Sequence, residues 1–90
     1  MTIDYKTSFL RDIKKLKDKE QAARLKEIIA EIIAVKNLSE IKNIRKIEGF
    51  PNHYRIKTGD YRIGLILSGD TIVLVRFLNR KEIYRYFPER

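Results

Sequence analysis

The spacing of apolar residues changes near residue 37 and divides the chain into two parts. Before that point apolar side chains recur every three or four positions, which is the period of an amphipathic helix. After it they alternate with polar side chains, which is the period of a strand with one buried face. The pattern therefore predicts an α+β protein with its helices first and its sheet second.

The first part of the chain predicts one short strand and two helices. Residues 2–5 alternate and form the strand, and Thr7 or Ser8 can cap a helix that ends around residues 17–19. The apolar face of this helix consists of Phe9, Leu10, Ile13 and Leu16. The apolar face of the second helix consists of Ala22, Leu25, Ile28, Ile29, Ile32 and Ile33. We expect the two helices to form a hairpin with an apolar inner seam.

The second part predicts a meander of short strands. Turn signals at residues 49–52, 58–60 and 68–70 separate strands at 44–48, 53–57, 61–67 and 71–78, and a last helical turn falls within 80–87. Connections this short cannot carry a parallel crossover, so these strands run antiparallel. We predict a single domain, residues 1–90, in which the helix hairpin packs on one face of a mainly antiparallel twisted sheet of about four to five strands.

Composition excludes several classes of function. The 90 residues include no cysteine and one histidine, so disulfides and thiolate metal sites are excluded, and we expect neither a metal nor a cofactor. The longest apolar stretch, residues 28–35, is interrupted by Glu31 and is far shorter than the roughly 20 residues that span a bilayer. The N-terminus lacks the pattern of a signal peptide. We therefore expect a cytoplasmic protein that makes no membrane contact.

Positive charge is concentrated in the second part of the chain. The net charge is +8, from 20 basic and 12 acidic residues. Up to Ile41 there are nine basic and seven acidic residues, whereas from Lys42 onward there are eleven and five. Clustered positive charge attracts phosphates and releases their counterions, so we expect a polyanion partner. The alternative is a generally basic, solvated surface.

Alternation places cations of neighbouring strands together. Arg55 and Lys57 share one side of their strand, and Arg62 lies on the corresponding side of the next strand. Like charges on paired strands repel, so this arrangement costs stability unless an anion joins it. Gly64, inside that strand, indicates either a close backbone approach or a bulge. The same alternation puts one set of residues on one side of the last strand: Ile72, Leu74, Arg76, Leu78 and Arg80.

Three motifs, in order, resemble the RelE/ParE toxin superfamily. They are G-F-P-N-H-Y-R-I-K at residues 49–57, G-D-Y-R-I at 59–63 and N-R-K-E-I-Y at 79–84. Members of that superfamily commonly show G-x-P-x-x-Y-[RK]-[IL]-[RK], then G-[DY]-[YW]-R, then a closing [HK]-R-x-x-[IV]-Y, all behind a helix hairpin. The resemblance covers nearly the whole chain.

The resemblance implies a toxin of a type II toxin–antitoxin system, which cleaves mRNA in the ribosomal A site and is silenced by a cognate antitoxin protein. An RNA 2′-hydroxyl would attack the adjacent phosphate without a metal, which requires a base, a holder of the phosphorane charge and an acid. The motifs carry the catalytic set onto Arg55, Lys57, Arg62, Arg80 and Tyr84. Arg62 would hold the phosphate, Arg80 would act as acid or charge stabiliser, and Tyr84 would stack on a base. The further cations expected to bind substrate are Lys46, Arg76, Lys81 and Arg85.

Two residues depart from the RelE pattern. Arg55 occupies the position of a lysine proposed as the general base; arginine stays protonated at neutral pH, so Lys57 would take the proton. Asn79 occupies a position where many relatives carry His or Lys, and an amide cannot exchange protons. Two alternatives therefore stand beside RNA cleavage: a ParE-like inhibitor of DNA gyrase, and a catalytically weak relative that keeps antitoxin binding.

The remaining aromatic residues have structural interpretations. We expect Tyr86 and Phe87 to anchor the C-terminal tail on the core, with stacking on RNA bases as the alternative. We expect His53 to be a turn or strand-start residue rather than a catalytic one.

Overall fold

Strands and helices follow one another in the predicted order, with small shifts at their ends. A computed structural model describes residues 1–89, so residue 90 of the predicted domain lies outside the described residues. The elements are β1 (Thr2–Tyr5), α1 (Thr7–Lys15), α2 (Lys19–Ala34), β2 (Ile44–Lys46), β3 (His53–Thr58), β4 (Tyr61–Ser68), β5 (Thr71–Asn79) and α3 (Ile83–Tyr86). A short 3-10 helix, Leu38–Glu40, precedes β2 and is absent from the sequence prediction.

The strands form one sheet in the order β1-β5-β4-β3-β2. The strands β2 to β5 pair antiparallel with their neighbours, and β1 pairs parallel with β5 at one edge. Since α1 and α2 directly follow β1, the chain passes through both helices before it returns to the sheet at β2. The predicted fold class, α+β with a mainly antiparallel sheet, is confirmed.

Two tight turns fix the register of β3, β4 and β5. Gly59 and Gly69 begin two-residue connections and have φ of +58° and +60°, a region that residues with a side chain disfavour. The strands stay paired right up to these turns. The first hairpin thereby brings the cations of β3 and β4 into neighbouring positions.

The two long helices begin differently. Asp18 is the N-cap of α2, and its carboxylate accepts a backbone N–H of the first turn at 3.1 Å. The N-cap of α1 is Lys6, without a side-chain cap, so the predicted capping by Thr7 or Ser8 is wrong. The Ser8 hydroxyl instead donates to the Val75 carbonyl of β5 at 2.6 Å. The Ser8 hydroxyl thus bonds to the sheet and not to the N-terminus of α1, where the sequence pattern places it.

A bulge in β5 reverses the side-chain alternation halfway along the strand. Gly64 pairs with Arg76, but the next residue of β4 pairs with Leu74, which leaves Val75 as the extra residue. Leu74 and Phe77 therefore both face the core, at 0% and 2% exposure. The prediction that Leu74 and Arg76 share one side is wrong, because strict alternation does not allow for an inserted residue.

The core lies between the helices and one face of the sheet. Its main cluster consists of Phe9, Leu25, Ile32, Ile41, Ile56, Ile63, Leu65, Ile72, Leu74 and Phe77. Leu10 and Ile33 are 51% and 58% exposed, so their predicted places in the apolar seam are wrong. The apolar residues of each helix cover more of its circumference than the sheet can contact, and the residues at the margin stay in solvent.

Candidate nucleic-acid interface

The face of the sheet opposite the core carries a groove of about 380 Å³. Its lining residues come from β3, β4, α3 and the start of β2: Asn43, Arg45, Arg55, Lys57, Arg62 and Tyr84. Four of the predicted catalytic residues are thus brought together. Four of the six lining residues are cations, and none is a carboxylate.

Two pairs of like charges face each other across neighbouring strands of this groove. Arg45 of β2 is the register partner of Arg55 of β3, and Lys57 of β3 is the partner of Arg62 of β4. Like charges directly opposite each other on paired strands destabilise a sheet by roughly 0.2–1 kcal/mol per pair. A phosphate between them would remove this repulsion, so the groove is suited to an anionic ligand.

The turn between β3 and β4 holds the Arg62 guanidinium. Its Nη1 donates to the Gly59 carbonyl at 2.9 Å and to the Tyr61 carbonyl at 2.8 Å. A guanidinium has further N–H groups on Nη2 and Nε, which form a planar fork suited to two phosphate oxygens. The turn therefore orients Arg62 and leaves that fork available to a ligand.

The Tyr84 ring forms one wall of the groove. The ring is 61% exposed, and the Arg55 Cζ atom lies 4.9 Å from its centroid. A cation over the face of an aromatic ring is attracted to it, so Arg55 favours this ring position. An exposed ring beside a basic groove is also a surface on which a nucleic-acid base can stack.

The other predicted site cations lie outside the lining of this groove. Arg80 lies beside Asp60, with Nε 3.9 Å from the carboxylate and its backbone N–H bonded to the Asp60 carbonyl at 2.7 Å. Lys46 pairs with Tyr54, whose side chain packs against the core, so Lys46 lies on the opposite sheet face. The remaining two, Lys81 and Arg85, are exposed near α3.

Arg76 is engaged within the molecule. Its Nε and Nη2 each donate to the Asp12 carboxylate at 2.9 Å, and its Cζ lies 4.8 Å from the centroid of the Tyr86 ring. The guanidinium fork is therefore occupied by a carboxylate of the chain itself. This arrangement gives Arg76 a structural contact in place of the free cation that alternation predicts.

Asn43 and Arg45 line the groove but are absent from the predicted site. Arg45 enters because β2 pairs with β3 in a register that sets it against Arg55. Asn43 has a φ of +61° just before β2, and its carbonyl accepts the Lys57 backbone N–H at 3.1 Å. The alternation of β2 carries a signal for Arg45, whereas nothing in the sequence pattern distinguishes Asn43.

The C-terminal segment crosses the same face of the sheet. Phe87 is 2% exposed and lies against Gly64, where a Cβ atom would be 2.5 Å from its ring. Phe87 thus anchors the tail, whereas Tyr86 is 47% exposed and lies over Arg76 instead of in the core. His53 is the first residue of β3 and stacks on Phe87, with ring centroids 5.5 Å apart. Gly64 therefore accommodates an aromatic ring, while the bulge lies in the neighbouring strand.

Residues 1–89 contain neither a metal-binding cluster nor a membrane-spanning helix. No group of three or more His, Cys, Asp or Glu side chains in this range is arranged to hold a metal ion. No helix in the same range is long and apolar enough to cross a membrane.

Comparison with known proteins gives concordant matches. Residues 3–84 match the family described as the ParE toxin of the type II toxin-antitoxin system parDE. The chain is 42% identical to Toxin RelE3 of Methanocaldococcus jannaschii over 89 residues, which are 98% of this chain and 100% of the relative.

Solved structures share the fold. The structure of a RelB-RelE antitoxin-toxin complex from Methanococcus jannaschii matches with a TM-score of 0.81 and 41% identity, covering 94% of this chain and 99% of that one. The toxin-antitoxin complex RelBE2 from Mycobacterium tuberculosis matches with a TM-score of 0.68 over 88% of this chain and 96% of that one. The second match, at 18% identity, supports the fold alone.

Proposed function

The chain belongs to the RelE/ParE family of toxins of type II toxin–antitoxin systems, and we propose on that premise that it is a ribosome-dependent endoribonuclease that cleaves mRNA. The observation that carries the proposal is the groove on the open sheet face. It combines four cations, no carboxylate and one exposed tyrosine ring. Such a site suits a phosphodiester flanked by a base.

The proposed reaction is an internal transesterification of RNA. The 2′-oxygen forms a bond to the adjacent phosphorus, the bond from phosphorus to the 5′-oxygen breaks, and the products are a cyclic phosphate and a free 5′-hydroxyl. In the proposed step Lys57 is the general base that takes the 2′-proton. The fork of Arg62 holds the added negative charge on the phosphorane.

The remaining groups orient the RNA and stabilise the leaving oxygen. Tyr84 stacks on a base, with Arg55 behind the ring and available to a phosphate. Arg80 stabilises the negative charge on the leaving 5′-oxygen while that oxygen takes a proton from water. The Arg80 side chain must move away from Asp60 for this, which an exposed ion pair at 3.9 Å permits. The exposed cations Lys81 and Arg85 bind more distant parts of the substrate in the ribosomal A site.

We also propose a cognate antitoxin protein as partner and the cytoplasm, where ribosomes translate, as the place of action. The 41% identical structure is an antitoxin–toxin complex, and this likeness supports a partner of the same kind. An antitoxin that covers the groove would have to place acidic side chains near its four cations. If a short reading frame lies next to the gene, co-expression with it tests whether growth arrest is relieved and a complex is recovered.

Purified chain, free of antitoxin, tests the cleavage proposal. We expect it to cut ribosome-bound mRNA and to leave cyclic-phosphate and 5′-hydroxyl ends. Arg62→Ala should abolish the cuts, whereas Lys14→Ala, which removes an exposed cation of α1, should not. Intact mRNA together with normal growth on expression would refute cleavage, and antitoxin binding would then mark a catalytically weak relative.

The match to the parDE toxin family favours a second candidate, inhibition of DNA gyrase. Gyrase inhibition acts by protein binding and does not need the catalytic set of the groove. A supercoiling assay separates the two candidates. Inhibition that survives both Arg62→Ala and Tyr84→Phe would support the second candidate, and unaffected supercoiling beside mRNA cleavage would exclude it.

A further inference from the structure

A partly buried ion pair joins α1 to β5 and contacts the helix that carries Tyr84. Asp12 of α1 is 8% exposed, and its carboxylate accepts from Arg76 Nε, from Arg76 Nη2 and from the Phe77 backbone N–H, each at 2.9 Å. β1 pairs only with the first half of β5, so this contact covers the edge that β1 leaves open. A bidentate pair fixes the plane of the guanidinium as well as its position.

The Arg76 guanidinium in turn contacts α3. Its Cζ lies 4.8 Å from the centroid of the Tyr86 ring, within the range of an attractive cation–ring contact. Tyr86 is the last residue of α3, which spans four residues. A helix of one turn has no stability of its own, so tertiary contacts decide its orientation.

Two other contacts hold the ends of this helix. Ile83 and Phe87 are 1% and 2% exposed, and Phe87 lies against Gly64, the register partner of Arg76. These apolar anchors fix the path of the segment. The contact between Arg76 and Tyr86 also restrains the rotation of this single-turn helix. The same helix carries the Tyr84 ring.

We propose that Asp12 is a positioning residue that acts through Arg76 and Tyr86 to hold Tyr84 over Arg55 in the groove. Asp12 itself touches no substrate, because it lies on α1 at the edge of β5. The position of the Tyr84 ring does not depend on what the chain binds. The effect of that position on RNA rests on the proposed function. The contacts from Asp12 to Arg76 and from Arg76 to Tyr86 thus connect α1 to the helix that carries the Tyr84 ring.

Fluorine NMR of the 3-fluorotyrosine-labelled chain tests the geometric part. The Tyr84 signal is assigned by its loss in Tyr84→Phe. Asp12→Asn removes the charge but keeps the shape, and Tyr86→Leu removes the aromatic ring. We expect each to shift the Tyr84 signal toward its position in the urea-unfolded chain, whereas the matched control Tyr86→Phe, which keeps the ring, leaves it in place.

An unchanged Tyr84 signal in folded Asp12→Asn would overturn the inference. If that variant does not fold, Tyr86→Leu decides, since Tyr86 is half exposed and its loss leaves the core intact. A shift in Tyr86→Leu then supports the inference, and an unchanged signal overturns it.

A double-mutant cycle in the affinity for a single-stranded RNA oligonucleotide tests the consequence for RNA. Asp12→Asn and Tyr84→Ala should each weaken binding; loss of one stacked base corresponds to about 5- to 150-fold. The double variant should bind no more weakly than Tyr84→Ala, because Asp12 acts through that ring. Fully additive losses would contradict the inference.

A stability control separates positioning from general loosening of the fold. Leu25→Ala creates a cavity in the core under α2, away from α3, and should lower the melting temperature without weakening RNA binding. If the parent chain neither binds the oligonucleotide nor cuts ribosome-bound mRNA, the proposed function fails, while the fluorine signals still decide whether Asp12 positions Tyr84.

Discussion

Arg62 is bound to the turn that precedes it, and a lysine bound in the same way would have no planar fork left for a ligand. The guanidinium donates through Nη1 to the carbonyls of Gly59 and Tyr61, which aims its remaining N–H groups at the groove. A lysine ammonium keeps the charge but lacks the planar fork. The role proposed for this residue therefore depends on shape as well as charge.

Arg62→Lys is expected to reduce mRNA cleavage by about 10²–10³-fold, the usual effect of losing one oriented donor to a charged transition state. The measurement is the single-turnover rate on ribosome-bound mRNA. Arg11→Lys, at an exposed position of α1, is the matched control and should retain the parent rate. A rate for Arg62→Lys close to the parent's would show that charge alone suffices.

Gly64→Ala is expected to destabilise the fold by about 1–3 kcal/mol, as for overpacking of a tight site. The added Cβ would lie 2.5 Å from the Phe87 ring, and the bulk of that ring cannot shift without moving the tail. Urea denaturation gives the free energy of unfolding. In a Phe87→Ala background the same substitution should cost little, so equal costs in both backgrounds would contradict the packing explanation.

At the scale of elements, β2, β3 and β4 are adjacent strands that carry positive charges directly opposite one another. The hairpin register sets Arg45 against Arg55 and Lys57 against Arg62. The sheet tolerates these pairs because apolar residues on its other face supply the packing. The repulsion between these cations thus lowers the stability of the strands, and the same cations attract anions.

Lys57→Gln is expected to raise the melting temperature at low salt by roughly 2–4 °C, since it removes one like-charge pair worth about 0.5 kcal/mol. Inorganic phosphate should stabilise the parent chain more than this variant. Thermal unfolding with and without phosphate measures both effects. Lys14→Gln on α1 is the control, and a destabilised Lys57→Gln would show that the strand charges are not in conflict.

The sequence pattern predicted the elements better than it predicted their contacts. The bounds of β1 agree with the prediction, while β3, β4 and β5 extend one residue further. Period and turn residues are local, so they report these elements directly. The bulge in β5 and the Ser8 hydroxyl bond to Val75 depend on which element lies alongside, and local spacing does not report that.

At the scale of the whole molecule, the positive field comes mainly from the strand region. The residues from Lys42 onward include eleven basic and five acidic ones, and the groove lies entirely within this part. With this charge distribution, the proposed RNA binding should depend strongly on salt. The groove should contribute to that dependence more than the helices do.

RNA affinity is expected to fall with salt, and Arg45→Gln or Lys57→Gln should each lower the slope of log K against log salt by about 0.7, the value for one phosphate contact on a single strand. Fluorescence anisotropy over about 50 to 200 mM salt measures the slope. Lys14→Gln should change it little. Equal slope changes for all three variants would indicate diffuse binding over the whole surface.

The sequence by itself determined the order of elements, the face of β3 and β4 that carries cations, and the motifs of the toxin family. Each of these follows from neighbours in the chain, since strand alternation and turn residues act over a few positions. Four of the predicted catalytic residues therefore meet in the groove: Arg55, Lys57, Arg62 and Tyr84.

Only the tertiary structure decided which cations are free. Arg45 joins the groove through strand register, whereas Arg76 is held by Asp12, 64 positions earlier in the chain. Phe87 takes the space that Gly64 leaves, which orders the segment carrying the Tyr84 ring. These contacts join residues that are far apart in sequence, so they depend on how the elements pack and are not encoded in any local pattern.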